Sequence, residues 1–247
     1  VTALYLTPIF PAGSNHRYDT ESYDEVDPYL GGNAALEDLA HTLHARGMRL
    51  ILDGVLNHTG VDHPWFNKSG RHATLGAYQS AESPYRDWYN FDVDDRYVGW
   101  KGHRSLPVLN FANAGVRAAM YEANDSVVRR WLRPPYAIDG WRLDVIHMLG
   151  EGPGATNNAE HVRGIRRAIK QENPDVFVLG EHFAEATRWL QGDQEDGAMN
   201  YFGFAKPVWL WLAGDTAHGG APIATAALCD WLRRTRAAIP YANQLAP

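Results

Sequence analysis

Residues 140–146 read GWRLDVI, a short apolar run that carries an arginine and an aspartate two positions apart. The run is too short for a core helix and reads as a strand. Side chains two apart on a strand point the same way, so Arg142 and Asp144 share one side. Similar runs lie on either side of it. ALYLTP (Ala3–Pro8) and RLILDGV (Arg49–Val55) precede it, VFVLGEH (Val176–His182) follows, and AMNYFGF (Ala198–Phe204) is a weaker fifth. None alternates cleanly, so each is expected to be buried on both faces, as in a parallel sheet under helices. Helices are expected between them. The first is 33–46, with a stripe at Leu36, Leu39, Ala40 and Leu43 and a stop at Gly47. Next come 116–132, closed by Pro134 and Pro135, and 160–172, closed by Asn173 and Pro174. The last is 222–238, with Pro222 in its first turn and Pro240 beyond. Strands alternating with helices imply an α/β fold with right-handed crossovers.

Composition narrows the function. The chain has 247 residues, 45% hydrophobic and 21% charged, enough to bury a core without disulfides or a structural metal. Asp plus Glu number 29 against 23 Lys plus Arg, a net charge of -6 with no basic block, which excludes nucleic acid and anionic membranes as partners. The lone Cys229 rules out a disulfide framework and a multi-cysteine zinc site. It fits a reducing, cytoplasmic setting. The longest apolar runs, such as Val208–Ala213, are far too short to span a bilayer. Position 1 is Val, and no basic-then-apolar leader is visible, so the sequence is expected to start mid-fold. The sequons at Asn57, Asn67 and Asn124 are read as chance matches.

Residues 57–113 break the rhythm. They are dense in Trp, Tyr, Asp, His and Gly and show no amphipathic helix. A loop of this length in a compact domain is usually functional. It leaves the carboxyl end of a strand, where parallel α/β folds place their sites. The expected organisation is a barrel part at 1–56, an inserted loop-rich subdomain at 57–113, and a second barrel part at 114–247.

Polar residues collect at the strand ends: Asp53, Asn57 and His58, then Arg142 and Asp144, then Glu181 and His182. A closed parallel barrel would bring them to one mouth. A single buried Asp is usually a satisfied structural group, but adjacent strands all ending this way point to a site. A carboxylate beside Arg142 is expected to keep a low pKa, so Asp144 suits a nucleophile. Glu181, with its pKa raised by burial and a neighbouring negative charge, suits an acid. That pair is what retaining glycoside hydrolysis requires. Tyr18, Trp65, Phe66, Trp88, Tyr89, Trp100 and Trp141 could stack on sugar, although most are expected in the core.

These motifs resemble the alpha-amylase family of glycoside hydrolases. DGVLNH (Asp53–His58) resembles the motif at its third barrel strand, and GWRLDVIH (Gly140–His147) the fourth-strand motif. GEH (Gly180–His182) resembles the fifth-strand motif, and LPVLN (Leu106–Asn110) a subgroup-marking stretch. SNHRYDTESYDEVDPYLGG (14–32) is similar to the loop after the second strand. The resemblance implies a partial TIM (β/α)8 barrel, about strands two to six of eight, with a long insertion after the third. It implies Asp144 as nucleophile and Glu181 as acid/base. Arg142 would fix Asp144, with Asp53 orienting Arg142 in support. Tyr18 would stack under the sugar, His58 would bond a sugar hydroxyl, and His147 would reach the next subsite.

LPVLN, GWRLDVIHMLGE and ESPYRDWYNF are most similar to the cyclomaltodextrinase, neopullulanase and maltodextrin glucosidase subgroup. The implied substrates are short α-1,4-glucans: maltodextrin, cyclodextrin or pullulan. No cofactor is implied. Met148 stands where calcium-binding members often carry His, so no metal is expected. The subgroup implies a homodimer of the full-length parent through an amino-terminal domain.

The family's His-Asp pair at the seventh strand has no counterpart, since no His-Asp dipeptide occurs in the chain. Five strand signals against the eight of a closed barrel suggest a catalytic-domain fragment, inactive alone. An alternative is a catalytically inactive amylase-like sugar-binding or scaffold protein, disfavoured because both carboxylates are present. A metal-dependent barrel hydrolase is disfavoured by the lack of His-Glu-x-x-His, with His41 and His44 read as solvated on a helix. A nucleotide enzyme is disfavoured by the spacing of Gly150, Gly152 and Gly154 around Pro153.

Overall fold

A computed structural model describes residues 1–150 and 158–244. Glu151, Gly152, Pro153 and Gly154, which carry part of the glycine-spacing argument and the end of one motif, lie outside the described residues. The strands are β1 (Ala3–Leu6), β2 (Arg49–Gly54), β3 (Gly140–Leu143), β4 (Phe177–Gly180) and β5 (Gly197–Ala198). They form one sheet in chain order, and every neighbouring pair is parallel. This is the α/β arc expected of a partial barrel.

Helices α1 (Gly32–Ala45) and α4 (Asn158–Glu172) cover one face of the arc. Leu36, Ala40 and Leu43 recur at helical spacing and bury the inner stripe of α1. The helix ends because Gly47 adopts φ 67°, the left-handed region open to glycine. The N–H of Met48 then reaches back to the carbonyl of Leu43 at 2.9 Å. Leu50 and Leu52, Trp141 and Leu143, and Val178 join this stripe and Val162, Ile165 and Ile169 of α4 in a single core.

Burial on both faces, the sequence expectation, holds for β3, where all four residues are buried, but not for β1 or β4 and only toward the carboxyl end of β2. Leu50, Leu52, Trp141 and Val178 are buried under the helices, whereas Tyr5 is exposed and Ile51, Phe177 and Leu179 stay part-exposed. Five strands among the described residues make an arc, and closure of such a barrel takes eight. The concave face is therefore open.

Three expected elements differ. The helix expected at 116–132 is broken into α2 (Ala114–Arg117), a wide turn at Ala118–Glu122 and α3 (Val127–Arg130). Ala123 and Ser126 are extended, with ψ 156° each, and Asn124-Asp125-Ser126 supplies turn formers in place of helix formers. The fifth strand stops at Ala198, because the carbonyl of Asn200 accepts from Phe204 and Ala205 and winds Tyr201–Ala205 into a wide turn. That turn leads into α5 (Lys206–Ala213), a helix the sequence reading did not separate. Helix α6 (Thr225–Ala237) starts after Pro222, because the N–H of Ile223 is tied to the carbonyl of Leu210 on α5. A last turn, α7, covers Tyr241–Gln244. No helix among the described residues is long and apolar enough to cross a membrane.

Residues 57–113 hold together through isolated antiparallel bridges and an aromatic cluster. Phe66 packs edge-on against Tyr89 and Tyr97, with ring centres 4.8 and 5.0 Å away. Val108 and Leu109 of the LPVLN stretch bridge His58 and Tyr89. The N–H of Leu109 also reaches the carbonyl of Asn57, pinning the turn that follows β2. Of the sequons, Asn57 and Asn67 are buried and only Asn124 is exposed. His44 is not simply solvated: its Nε2 lies 2.8 Å from the Asp139 carboxylate.

Candidate active site

The parallel register places the site. Asp53 on β2 lies beside Arg142 on β3. Asp144 and Glu181 follow one residue beyond the ends of β3 and β4. All four side chains reach the same mouth because residues at the carboxyl ends of neighbouring strands sit side by side.

Arg142 is the hub, with a side chain only 3% exposed. Its Nη1 donates to Asp144 Oδ1 at 2.7 Å and to both oxygens of Asp53 at 3.0 and 3.1 Å. Its Nη2 lies 2.6 Å from Glu181 Oε1. The other Glu181 oxygen accepts the N–H of Val145 at 3.0 Å. Val145 adopts φ 39°, costly for a β-branched residue, and this backbone turn aims its amide at Glu181.

Charge in this pocket is unbalanced: Asp53, Asp144 and Glu181 share one guanidinium. Burial opposes the charge on Arg142, but the three carboxylates outweigh it and raise its pKa. Burial also raises Asp53, against the pull of Arg142 and of hydrogen bonds from Tyr5 and Tyr18. Asp144 departs from the sequence expectation of a low pKa. Burial pushes its carboxyl up to about 7, with Arg142 opposing and the charges of Asp53 and Glu181 adding to the rise. The expectation weighed the adjacent arginine and not the burial of the carboxyl, to which the two other carboxylates add.

Tyr18 enters from the loop after β1. Its hydroxyl donates to Asp53 Oδ2 at 3.2 Å, and its ring centre lies 5.9 Å from the Arg142 guanidinium carbon. Burial beside Asp53 pushes its hydroxyl up to about 12, so it stays protonated. His58 is buried, which lowers its pKa to about 4 and keeps the ring neutral. Its Nε2 donates to the carbonyl of Tyr18 at 3.2 Å and its Nδ1 faces the Asn57 amide at 3.3 Å. His147, half-buried, donates through Nδ1 to the carbonyl of Glu181 at 3.0 Å. Its pKa is lowered, again by burial.

Of the aromatics, Phe66, Tyr89 and Trp141 are buried in the core. Trp65 and Trp88 pack against each other at 4.7 Å, away from the hub. Trp100 lies 5.9 Å from the His58 ring and donates to Met148 Sδ. Sequence reasoning missed Tyr5, whose hydroxyl donates to Asp53 Oδ2 at 2.6 Å. The available signal was its place near the carboxyl end of a strand, level with Ile51 and two residues short of Asp53 in the parallel register. It also missed Glu195, which is buried against His182. Among the described residues, no group of three or more His, Cys, Asp or Glu is arranged to hold a metal ion.

Residues 1–239 match the alpha amylase catalytic domain. The chain belongs to the alpha-amylase family. It is 36% identical over 222 residues to the intracellular maltogenic amylase of Bacillus subtilis (strain 168), covering 87% of this chain and 34% of that protein. It is 36% identical over 210 residues to a cyclomaltodextrinase from a Bacillus species, covering 81% of this chain and 34% of the relative. The debranching enzyme from Nostoc punctiforme superposes with a TM-score of 0.82 at 32% identity, over 99% of this chain and 50% of that one. The chain thus spans about a third of the curated relatives' length and half of that solved structure.

Proposed function

We propose that this chain carries the catalytic pair of a retaining glycoside hydrolase. Its substrates are the α-1,4 bonds of maltodextrins or related short α-glucans, cyclodextrin and pullulan included. One observation carries the reading: a single guanidinium, Arg142, holds the carboxylates of Asp144 and Glu181 at 2.7 and 2.6 Å. Asp144 attacks the anomeric carbon and forms a covalent glycosyl-enzyme. Glu181 gives a proton to the departing glycosidic oxygen and then takes one from the water that breaks the intermediate.

Burial, with the charges of Asp53 and Glu181 adding and Arg142 opposing, pushes the Asp144 carboxyl up to about 7. Positive charge developing on the sugar ring beside Asp144 favours its ionised form. Tyr18 stacks beneath the ring, His58 meets a sugar hydroxyl, and His147 reaches the next subsite. Residues 57–113 act as the inserted subdomain that borders the cleft. An amylase-like scaffold without activity would bury this uncompensated charge to no purpose, at a cost in stability.

The names of the relatives support the substrate class, and the intracellular one supports a cytoplasmic location, as does the lone exposed Cys229. A homodimer of the full-length protein rests on the subgroup resemblance.

The test is Glu181→Gln in the intact protein. Its kcat/KM on maltotriose is expected to fall about 100- to 10,000-fold, the usual contribution of general acid–base groups. Wild-type values would sink the reading, as would NMR showing the first product with inverted anomeric configuration. We further expect the 247 residues expressed alone to give no turnover, because a five-stranded arc leaves the concave face open. Maltotriose hydrolysis by the pure piece would contradict that.

A further inference from the structure

Among the described residues, the most deeply buried acid outside the Arg142 cluster is Glu195, just before β5, with a side chain 0% exposed. The only side chain bonded to its carboxylate among the described residues is His182, whose Nε2 faces the two oxygens at 2.8 and 3.0 Å. His182 is itself buried and follows Glu181 directly in the chain. Burying a carboxylate costs several kcal/mol of desolvation unless it is well paired, so a lone Glu–His pair is a poor device for stability alone.

The surroundings are built around this pair. Gly180 leaves the room: a Cβ there would collide with the Glu195 carboxylate. The His182 ring packs on Trp189 with centres 4.3 Å apart and lies 5.6 Å from the His147 ring. His147 in turn bonds the Glu181 carbonyl. From below, Asn243 of α7 donates to the carbonyls of Glu195 and Asp196 at 2.9 and 3.0 Å. Three consecutive residues therefore share one task. Gly180 admits Glu195, His182 grips it, and Glu181 between them projects toward Arg142.

His182 Nδ1 is buried and has no hydrogen-bond partner. Among the described residues, Glu195 is therefore the ring's one hydrogen-bond partner. Without that anchor it could turn to satisfy Nδ1, and its backbone would carry Glu181 with it.

We propose that Glu195 is a positioning residue, which locks the His182 ring and thereby holds Glu181 where it can protonate the leaving oxygen. This rests on the acid/base reading of Glu181 above. A displacement of about 1 Å at a reacting group costs on the order of 100-fold in rate.

The experiment uses Glu195→Gln in the intact protein and two substrates. Maltotriose needs a proton on its leaving oxygen. The α-maltosyl fluoride does not, since fluoride departs unaided. We expect kcat/KM, which reports the first chemical step, to fall about 10- to 100-fold on maltotriose and to change less than about 3-fold on the fluoride. Equal losses on both substrates, or no loss on either, overturn the proposal. If Glu195→Gln does not fold, the double variant Glu195→Gln with His182→Asn is read by the same two numbers. Failure of both to fold assigns the pair to stability and also overturns it. Glu181→Gln is measured alongside. If it keeps wild-type kcat/KM on maltotriose, the underlying function falls; if it loses activity while Glu195→Gln does not, only the positioning role falls.

Discussion

Asp144→Asn in the intact protein is expected to lower kcat on maltotriose by at least about 10,000-fold, as removal of a covalent nucleophile does elsewhere. The same variant is expected to be more stable than wild type at pH 8. Burial, with the charges of Asp53 and Glu181 behind it, raises the Asp144 carboxyl from its ordinary range to about 7. Between those values the folded protein holds a proton that the unfolded chain has released. Stability therefore falls as pH rises through that window. Asparagine makes no such loss, so the variant should unfold later at pH 8, by up to about 4 kcal/mol less whatever the weakened bond from Arg142 contributes, read as a rise in Tm. At about pH 3, below both values, both states of wild type are largely protonated at this site and the gain should vanish. Near-normal turnover would remove Asp144 from the mechanism. A less stable variant at pH 8 would contradict the charge imbalance around Arg142.

Arg142→Met should act in the opposite direction on stability. Among the described residues, the guanidinium is the one cation bonded to Asp53, Asp144 and Glu181. Removing one partner of a buried ionic cluster leaves uncompensated charge and typically costs about 3–5 kcal/mol. Activity should disappear with it, since Asp144 and Glu181 lose their shared anchor. The pH dependence is diagnostic. Lowering the pH protonates the stranded carboxyls, so the deficit measured by urea unfolding should be largest near pH 7.5 and smaller near pH 5. A deficit independent of pH would mean that Arg142 contributes packing rather than charge.

Much of the site was legible because its signals are local. Arg142 and Asp144 lie two apart on a strand, and Asp53 and Glu181 end neighbouring apolar runs. A period of two and the parallel order are enough to put such residues at one mouth. Helix α1 was equally legible, since Leu36, Ala40 and Leu43 mark its buried stripe and Gly47 its end. The break in the expected helix at 116–132 was harder. The proline pair beyond it looked like the terminator, whereas Asn124-Asp125-Ser126 ends the helical course earlier by offering the backbone other partners.

Residue order alone thus determined the strand-and-helix alternation, the family, and which ionisable groups stand at the strand ends. Each of these follows from side-chain spacing along a few consecutive residues. Only the folded chain decided how the charges are shared. It brought Tyr5 to Asp53 across 48 positions, set Glu195 against His182, and made three carboxylates compete for one arginine. Proton affinity depends on every charge within a few ångströms and on the water excluded around it, and neither quantity is written in linear order.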